Sequence, residues 1–358
     1  MNKRKVINYL KLVFGLMIFF SPIAHAEEVD FTVKPEFPEN QVASNSGFYD
    51  LKVLPGTEQE LNLIVHNKSD QAITTKFEIN PAATGENGGF IYTLKDSDRD
   101  ESMKLSISDI ASTVDTISIP AKGSGRVIIK LKIPKKPFEG IILGGIRISS
   151  ISDSENKEKE EANGFSVSNS FAYTIAIRLQ ENDKLPTSEL FLKSVQASQI
   201  VGRNSIKATL QNPTPTIIDK VSYHGQVMKK GQDKVLHENK VDGYRIAPNT
   251  QFDFPVSWDN QEFKAGTYRY VLKARSEETG KEWKFDQEFT ISNKEAKTLN
   301  EQAVDVEKDY SSYILLIFLA LVIVLLILVI ALILKRKKNN KEQVIKKGAH
   351  GNRRKKKV

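Results

Sequence analysis

The chain has 358 residues, 40% hydrophobic and 27% charged, enough apolar material for about two packed domains and too balanced for a disordered polymer. With Cys 0 and His 5, a disulfide framework, a thiolate nucleophile and a cysteine-ligated metal centre are excluded, and little is left for a histidine-rich site. The formal charge of +8 comes from the two ends, and the region 27–334 is acidic on balance, so the basic folded surface that a nucleic acid needs is missing.

Residues 1–26 open with Lys3, Arg4, Lys5 and Lys11, continue through the apolar run Leu12–Phe20, and end on Ser21-Pro22 and Ala24-His25-Ala26. A cationic start, an apolar centre and a small-x-small site predict a secretory signal peptide cleaved after Ala26. No cysteine follows, so a lipid anchor is not expected.

From residue 27 to 291 the dominant period is two. Apolar residues alternate with polar ones at Ile73, Thr75, Phe77 and Ile79, at Val127–Ile133 and at Phe171–Leu179. The same pattern recurs at Ile206–Leu210, Phe252–Trp258, Tyr268–Ala274 and Trp283–Ile291. Short alternating strands between Pro, Gly, Asn and Asp turns predict a mainly β protein built of two tandem immunoglobulin-like β-sandwich domains, 27–181 and 187–292. The polar segment 182–186 is the expected linker. A sustained helical period is absent between the two apolar ends, which argues against Rossmann and P-loop folds. Trp258 and Trp283 lie on alternating stripes and are expected in the core rather than on a sugar platform.

A loose internal repeat supports two sandwiches. Leu63-Ile64-Val65-His66-Asn67 turns through Lys68-Ser69-Asp70 much as Ala208-Thr209-Leu210-Gln211-Asn212 turns through Pro213-Thr214-Pro215. A Pro-bearing turn at Pro120 or Pro248 then precedes an alternating strand in each unit. The first unit is longer, and its extra residues are expected within Asn80–Ile110. Ser152–Gly164 is highly charged and expected to be an exposed loop.

Signals for chemistry are sparse. Three histidines, His66, His224 and His237, fall in the expected ectodomain, no G-x-S-x-G is present, and Gly123-Ser124-Gly125 has the form of a hairpin turn. Ser154-Glu155-Asn156-Lys157 matches S-x-x-K only within the charged loop and without a K-T-G partner. Asp96-Ser97-Asp98-Arg99-Asp100 imitates the start of a calcium loop, but Glu101 and Ile107 stand where an EF-hand needs Gly and Glu. No enzyme activity, metal or cofactor is expected. The candidate recognition segment is Asn80–Tyr92, where Gly85, Gly88 and Gly89 free the backbone and Asn80, Asn87 and Tyr92 could meet amide, hydroxyl and sugar faces. The competing reading is a long connection without a ligand.

Past residue 292 a polar stretch, 293–313, is expected as a stalk. Ile314–Leu334 is uninterruptedly apolar and, at about 1.5 Å per residue, long enough to cross a bilayer. The following Lys335-Arg336-Lys337-Lys338 puts the basic tail 335–358 in the cytoplasm and the ectodomain outside. A sortase signal is missing before the apolar run, since Leu185-Pro186-Thr187-Ser188-Glu189 lacks the glycine and lies in mid-chain. The expected protein is single-pass and held in the membrane.

This order of parts, with Ser46-Gly47-Phe48-Tyr49-Asp50-Leu51-Lys52-Val53 running into Leu54-Pro55-Gly56, then Asn80-Pro81-Ala82-Ala83-Thr84 and Gly140–Ile146, resembles the WxL-interacting proteins of Gram-positive bacteria. Leu210-Gln211-Asn212-Pro213-Thr214 and Ala265-Gly266-Thr267-Tyr268 look like the pattern of that family's second domain. The resemblance covers nearly the whole chain. It implies a peptidoglycan-binding first domain, a host- or matrix-binding second domain and WxL proteins as partners at the cell wall, and carries no ligand motif to individual residues. Two other classes stay open: a wall hydrolase or sugar-modifying enzyme, and a chaperone-like assembly factor that exchanges an edge strand with secreted partners.

Overall fold

Alternating apolar residues place one face of each strand on a core and the other in water, and the computed structural model follows that pattern through residues 30–42, 46–151, 171–304, 306, 314 and 316–335, the residues described. The expected signal peptide, the loop Ser152–Gly164 and most of the basic tail lie outside them. The first unit runs β1 (Phe31–Glu36), β2 (Tyr49–Lys52), β3 (Glu58–Asn67), β4 (Ile73–Pro81), β5 (Ala83–Thr84), β6 (Phe90–Ile91), a 3-10 turn (Asp96–Asp98), α1 (Ile107–Ile110), β7 (Ala111–Ser112), β8 (Thr116–Ile119), β9 (Ser124–Lys132), β10 (Ile141–Ile151) and β11 (Ala172–Gln180). The second runs β12 (Phe191–Ile200), β13 (Arg203–Asn212), β14 (Ile218–Lys229), β15 (Val235–Ile246), β16 (Thr250–Ser257), β17 (Gly266–Ser276), β18 (Glu282–Ile291) and α2 (Asn293–Gln302). An apolar helix, α3 (Leu316–Lys335), follows.

The sheets are ordered β1-β3-β9-β7 and β2-β11-β10-β4-β8 in the first unit, and β12-β13-β16 and β15-β14-β17-β18 in the second. The two units share one topology. The trios β1-β3-β9 and β12-β13-β16 correspond, as do β8-β4-β10-β11 and β15-β14-β17-β18. Leu61, Leu63 and Val65 of β3 are buried with Val127, Ile129 and Leu131 of β9, and Tyr223, Phe254 and Tyr270 centre the second core. Trp258 and Trp283 are buried as expected, with Trp258 edge-on to Tyr268.

The repeat seen in the sequence marks a shared polar plug. Asn67 donates from Nδ2 to the carbonyls of Gln71, Ile119 and Pro120, while its Oδ1 accepts from Ser69 N and Oγ. Asn212 donates to Thr216 and Ala247 and accepts from Thr214 N and Oγ1. The next turn is pinned alike, by Lys122 N to Ser69 O at 3.1 Å and Asn249 N to Thr214 O at 3.0 Å. A buried amide serving both flanks of a turn satisfies backbone groups that water cannot reach.

The extra residues of the first unit lie between β4 and β8, and their main use is contact with the second unit. The β5–β6 hairpin closes through Gly85 and Gly89 and docks its tip on β15. Arg245 N donates to Gly88 O at 2.8 Å, the Tyr244 hydroxyl donates to Glu86 O at 2.7 Å, and Ala247 N donates to Thr84 Oγ1 at 2.9 Å. Gly88 has φ +76°, and a Cβ there would fall 2.2 Å from the Tyr244 ring. A second seam joins Ile141 N to Pro215 O at 2.7 Å, and a third is Gln211 Nε2 donating to the buried carboxylate of Asp100 at 2.8 Å. Ala82, Ile141, Leu143 and Ala247 form a small apolar cluster between the units.

The polar stretch expected as a stalk begins differently. Ser292 and Glu295 form a capping box that starts α2, and Ala296 is buried. Asn300 accepts from Phe263 N at 2.8 Å and donates to Phe263 O at 3.0 Å. Val304 N reaches Gly202 O at 2.8 Å. A short helix needs such tertiary anchors, because its own propensity is marginal, so its period is too brief to stand out in the sequence.

Two outcomes follow from these contacts. Asn212→Ala removes a buried donor pair and is expected to lower stability by roughly 2–4 kcal/mol, read by denaturant unfolding. Gly88→Ala is expected to cost about 2–3 kcal/mol and to speed amide exchange at Arg245 and Ala247; unchanged exchange at both would contradict the tip contact.

Candidate functional site

The three residues that the sequence nominates for recognition fall at different places on the hairpin. Asn80 Nδ2 donates to Tyr92 O at 2.9 Å, fastening the hairpin base. Asn87 is exposed at the tip, where its Oδ1 accepts from Gly89 N at 3.2 Å. Tyr92 is half-buried, and burial pushes its phenol pKa up, so the hydroxyl stays a neutral donor at physiological pH. Asn80 and Tyr92 are joined through the backbone; Asn87 stands apart from both.

Tyr92 lines a cleft of about 360 Å³ between the two units, together with Phe48, Phe90, Leu185, Arg178 and Arg245. That volume and the mixture of aromatic walls with a few convergent polar groups suit a small ligand or a polymer segment. Both guanidiniums are held by carboxylates. Arg178 donates from Nη1 to both oxygens of Asp50 at 3.0 and 3.1 Å and from Nη2 to Gln180 Oε1 at 2.8 Å, leaving its buried Nε without a hydrogen-bond partner among the described residues. Arg245 holds Asp219 through Nε and Nη2 at 2.5 and 3.2 Å and lies 4.5 Å over the centre of the Phe90 ring. The ion pair raises the Arg245 pKa, so the charge is permanent.

Phe48, Arg178 and Arg245 were not legible as site residues, and Phe90 lies in the nominated segment without being singled out. They sit on segments far apart in sequence, and no local spacing announces a wall built from both units. The described histidines each have a different polar neighbour. His66 Nδ1 lies 2.6 Å from Ser124 Oγ across β3 and β9 on an exposed flank, and no carboxylate hydrogen-bonds that imidazole among the described residues. His224 Nε2 is 2.9 Å from Glu238, and His237 Nδ1 is 2.8 Å from Asp259 with its ring 4.1 Å from Trp258. In the calcium-like run, Asp100 accepts from Ser102 and Gln211, and Arg99 turns to Asp109 at 2.8 Å.

Comparison with known proteins gives the chain its relatives. The model of the WxL Interacting Protein peptidoglycan binding domain matches residues 31–150, and that of the WxL Interacting Protein host binding domain matches residues 162–301. No curated protein matches the chain. Among solved structures, the E. coli chaperone DraB is similar at 14% identity and TM-score 0.26, over 73% of this chain and 97% of its own. The Pseudomonas aeruginosa CupB2 chaperone is similar at 16% identity and TM-score 0.26, over 66% and 95%. The CsuC-CsuE chaperone-tip adhesion subunit pre-assembly complex of Acinetobacter baumannii is similar at 9% identity and TM-score 0.31, over 63% and 90%. With two successive domain models matched along the two β-sandwich units, the chain belongs to the WxL-interacting protein family.

Proposed function

We propose that the chain is a non-catalytic adaptor held in the bacterial membrane, gripping peptidoglycan with residues 27–181 and meeting WxL proteins, host matrix proteins or both through its ectodomain. The observation that carries this reading is the pair of binding-domain matches on one chain that also carries an exposed apolar helix, Leu316–Lys335. Such a helix matches the bilayer core in length, and the lysine and arginine cluster after it favours a cytoplasmic tail and an outward-facing ectodomain. The proposed boundary at 182–186 keeps β11 with the strands that it pairs with, β10 and β2, although the host-binding match begins upstream at 162.

The cleft supports a wall ligand by its chemistry. Phe48, Phe90 and Tyr92 offer apolar faces to acetyl groups and sugar rings, and the Arg178–Asp50 and Arg245–Asp219 pairs offer fixed polar groups to the amides of stem peptides. Asn80 serves by bracing Tyr92, and Asn87 would contact ligand only at the hairpin tip. Replacing the whole hairpin would also release the second unit, so point variants are the cleaner probe.

The full chain in mild detergent is expected to sediment with purified sacculi without releasing muropeptides. The Phe90→Ala/Tyr92→Ala double variant should bind about tenfold more weakly, whereas Asn87→Ala should bind like the parent if the cleft is the site. Release of muropeptides would make the protein an enzyme, and undiminished retention of the double variant would remove the cleft from the account.

A further inference from the structure

On the outer face of β15-β14-β17-β18, charged cross-strand neighbours elsewhere carry opposite signs. Arg275 faces Glu282, with their charged groups 3.6 Å apart. Arg269 faces Glu288 and holds Asp286 with its guanidinium. One row breaks the pattern. Lys240, His224, Lys273 and Lys284 stand directly opposite one another from β15 across to β18.

Like charges directly opposed on a sheet are destabilising, as Lys273 and Lys284 are here, whereas His224 has its own carboxylate partner, with Nε2 2.9 Å from Glu238. Lys240 and Lys273 have no carboxylate within ion-pairing distance among the described residues, and Lys284 reaches only Glu282 on its own strand, at 3.9 Å. The four side chains line a shallow trough of about 270 Å³, with Asp242 and Glu282 also on its lining.

We propose that this row binds a linear sulfated polysaccharide. The four side chains stand on successive strands about 4.8 Å apart, which sets three lysine ammoniums across the width of the sheet. An extended acidic peptide presents side chains on one face at a fixed ~6.8 Å, two residues at about 3.4 Å, which matches neither the two-strand step from Lys240 to Lys273 nor the one-strand step from Lys273 to Lys284; a sulfated glycan carries several anionic groups per disaccharide and can meet both. A sulfate offers three acceptor oxygens, so neighbouring lysines share it more readily than a carboxylate. The proposal lies within the region matched by the host-binding model but stands on the charge arrangement, and a sacculus assay does not report on it.

The test is amine acetylation read lysine by lysine by mass spectrometry, on the full chain in detergent with and without a heparin hexasaccharide, which separates this face from the basic tail. At a probe concentration of about twice its Kd, Lys240, Lys273 and Lys284 are expected to react about threefold more slowly, while Lys130 and Lys132 of β9 keep their rates. In the Lys240→Gln/Lys273→Gln variant the protection of Lys284 should vanish and the thermal midpoint should hold or rise. Unchanged rates at the three lysines, equal protection by hyaluronan or polyglutamate of matched length, or a fall in thermal midpoint from lost structural pairing would each overturn the proposal.

Discussion

The arrangement of the ectodomain depends on one hydrogen-bonded wedge, the β5–β6 hairpin seated on the strand end Tyr244–Ala247. The donors and acceptors are mainly backbone, so the contact has a defined register and angle, and Gly88 lets the two chains approach where a Cβ would strike the Tyr244 ring. Buried polar groups of this kind are costly to leave unpaired, so separating the units would expose several at once. The cleft exists because the wedge holds Phe90 and Tyr92 against Arg245, and its two walls belong to different units.

An adaptor gains from such a joint. A flexible linker would let wall-binding and partner-binding surfaces reorient independently, whereas the wedge, the Ile141–Pro215 seam and the Asp100–Gln211 contact fix their relation. The anchoring of α2 through Asn300 and the Val304–Gly202 bond extends the same rigidity to the C-terminal end of the second unit. Binding by preorganised domains loses less ordering entropy than binding by mobile ones.

The basic row on the second unit shows how a surface can be read against its own surroundings. Its neighbours on the same face follow the opposite-sign rule of cross-strand pairing, which makes the exception informative without reference to another protein. The row assembles from four strands and becomes visible only when registers are known. In sequence, Lys240, Lys273 and Lys284 are three scattered lysines in a region whose overall charge is acidic.

What the sequence by itself determined was whatever depends on neighbours along the chain. Alternation at Ile73–Ile79, Val127–Ile133 and Phe252–Trp258 implied strands and buried faces because the side-chain period of a strand is local. The turn asparagines Asn67 and Asn212 were legible as a repeat for the same reason, as were the long apolar run and the family resemblance carried by contiguous motifs. What only the tertiary structure decided was the use of those parts: that Asn80 braces and Tyr92 lines a wall, that residues 293–302 fold back as a helix, and that Phe48, Arg178 and Arg245 converge. Those facts rest on pairing and packing between segments far apart in sequence, which no local period encodes.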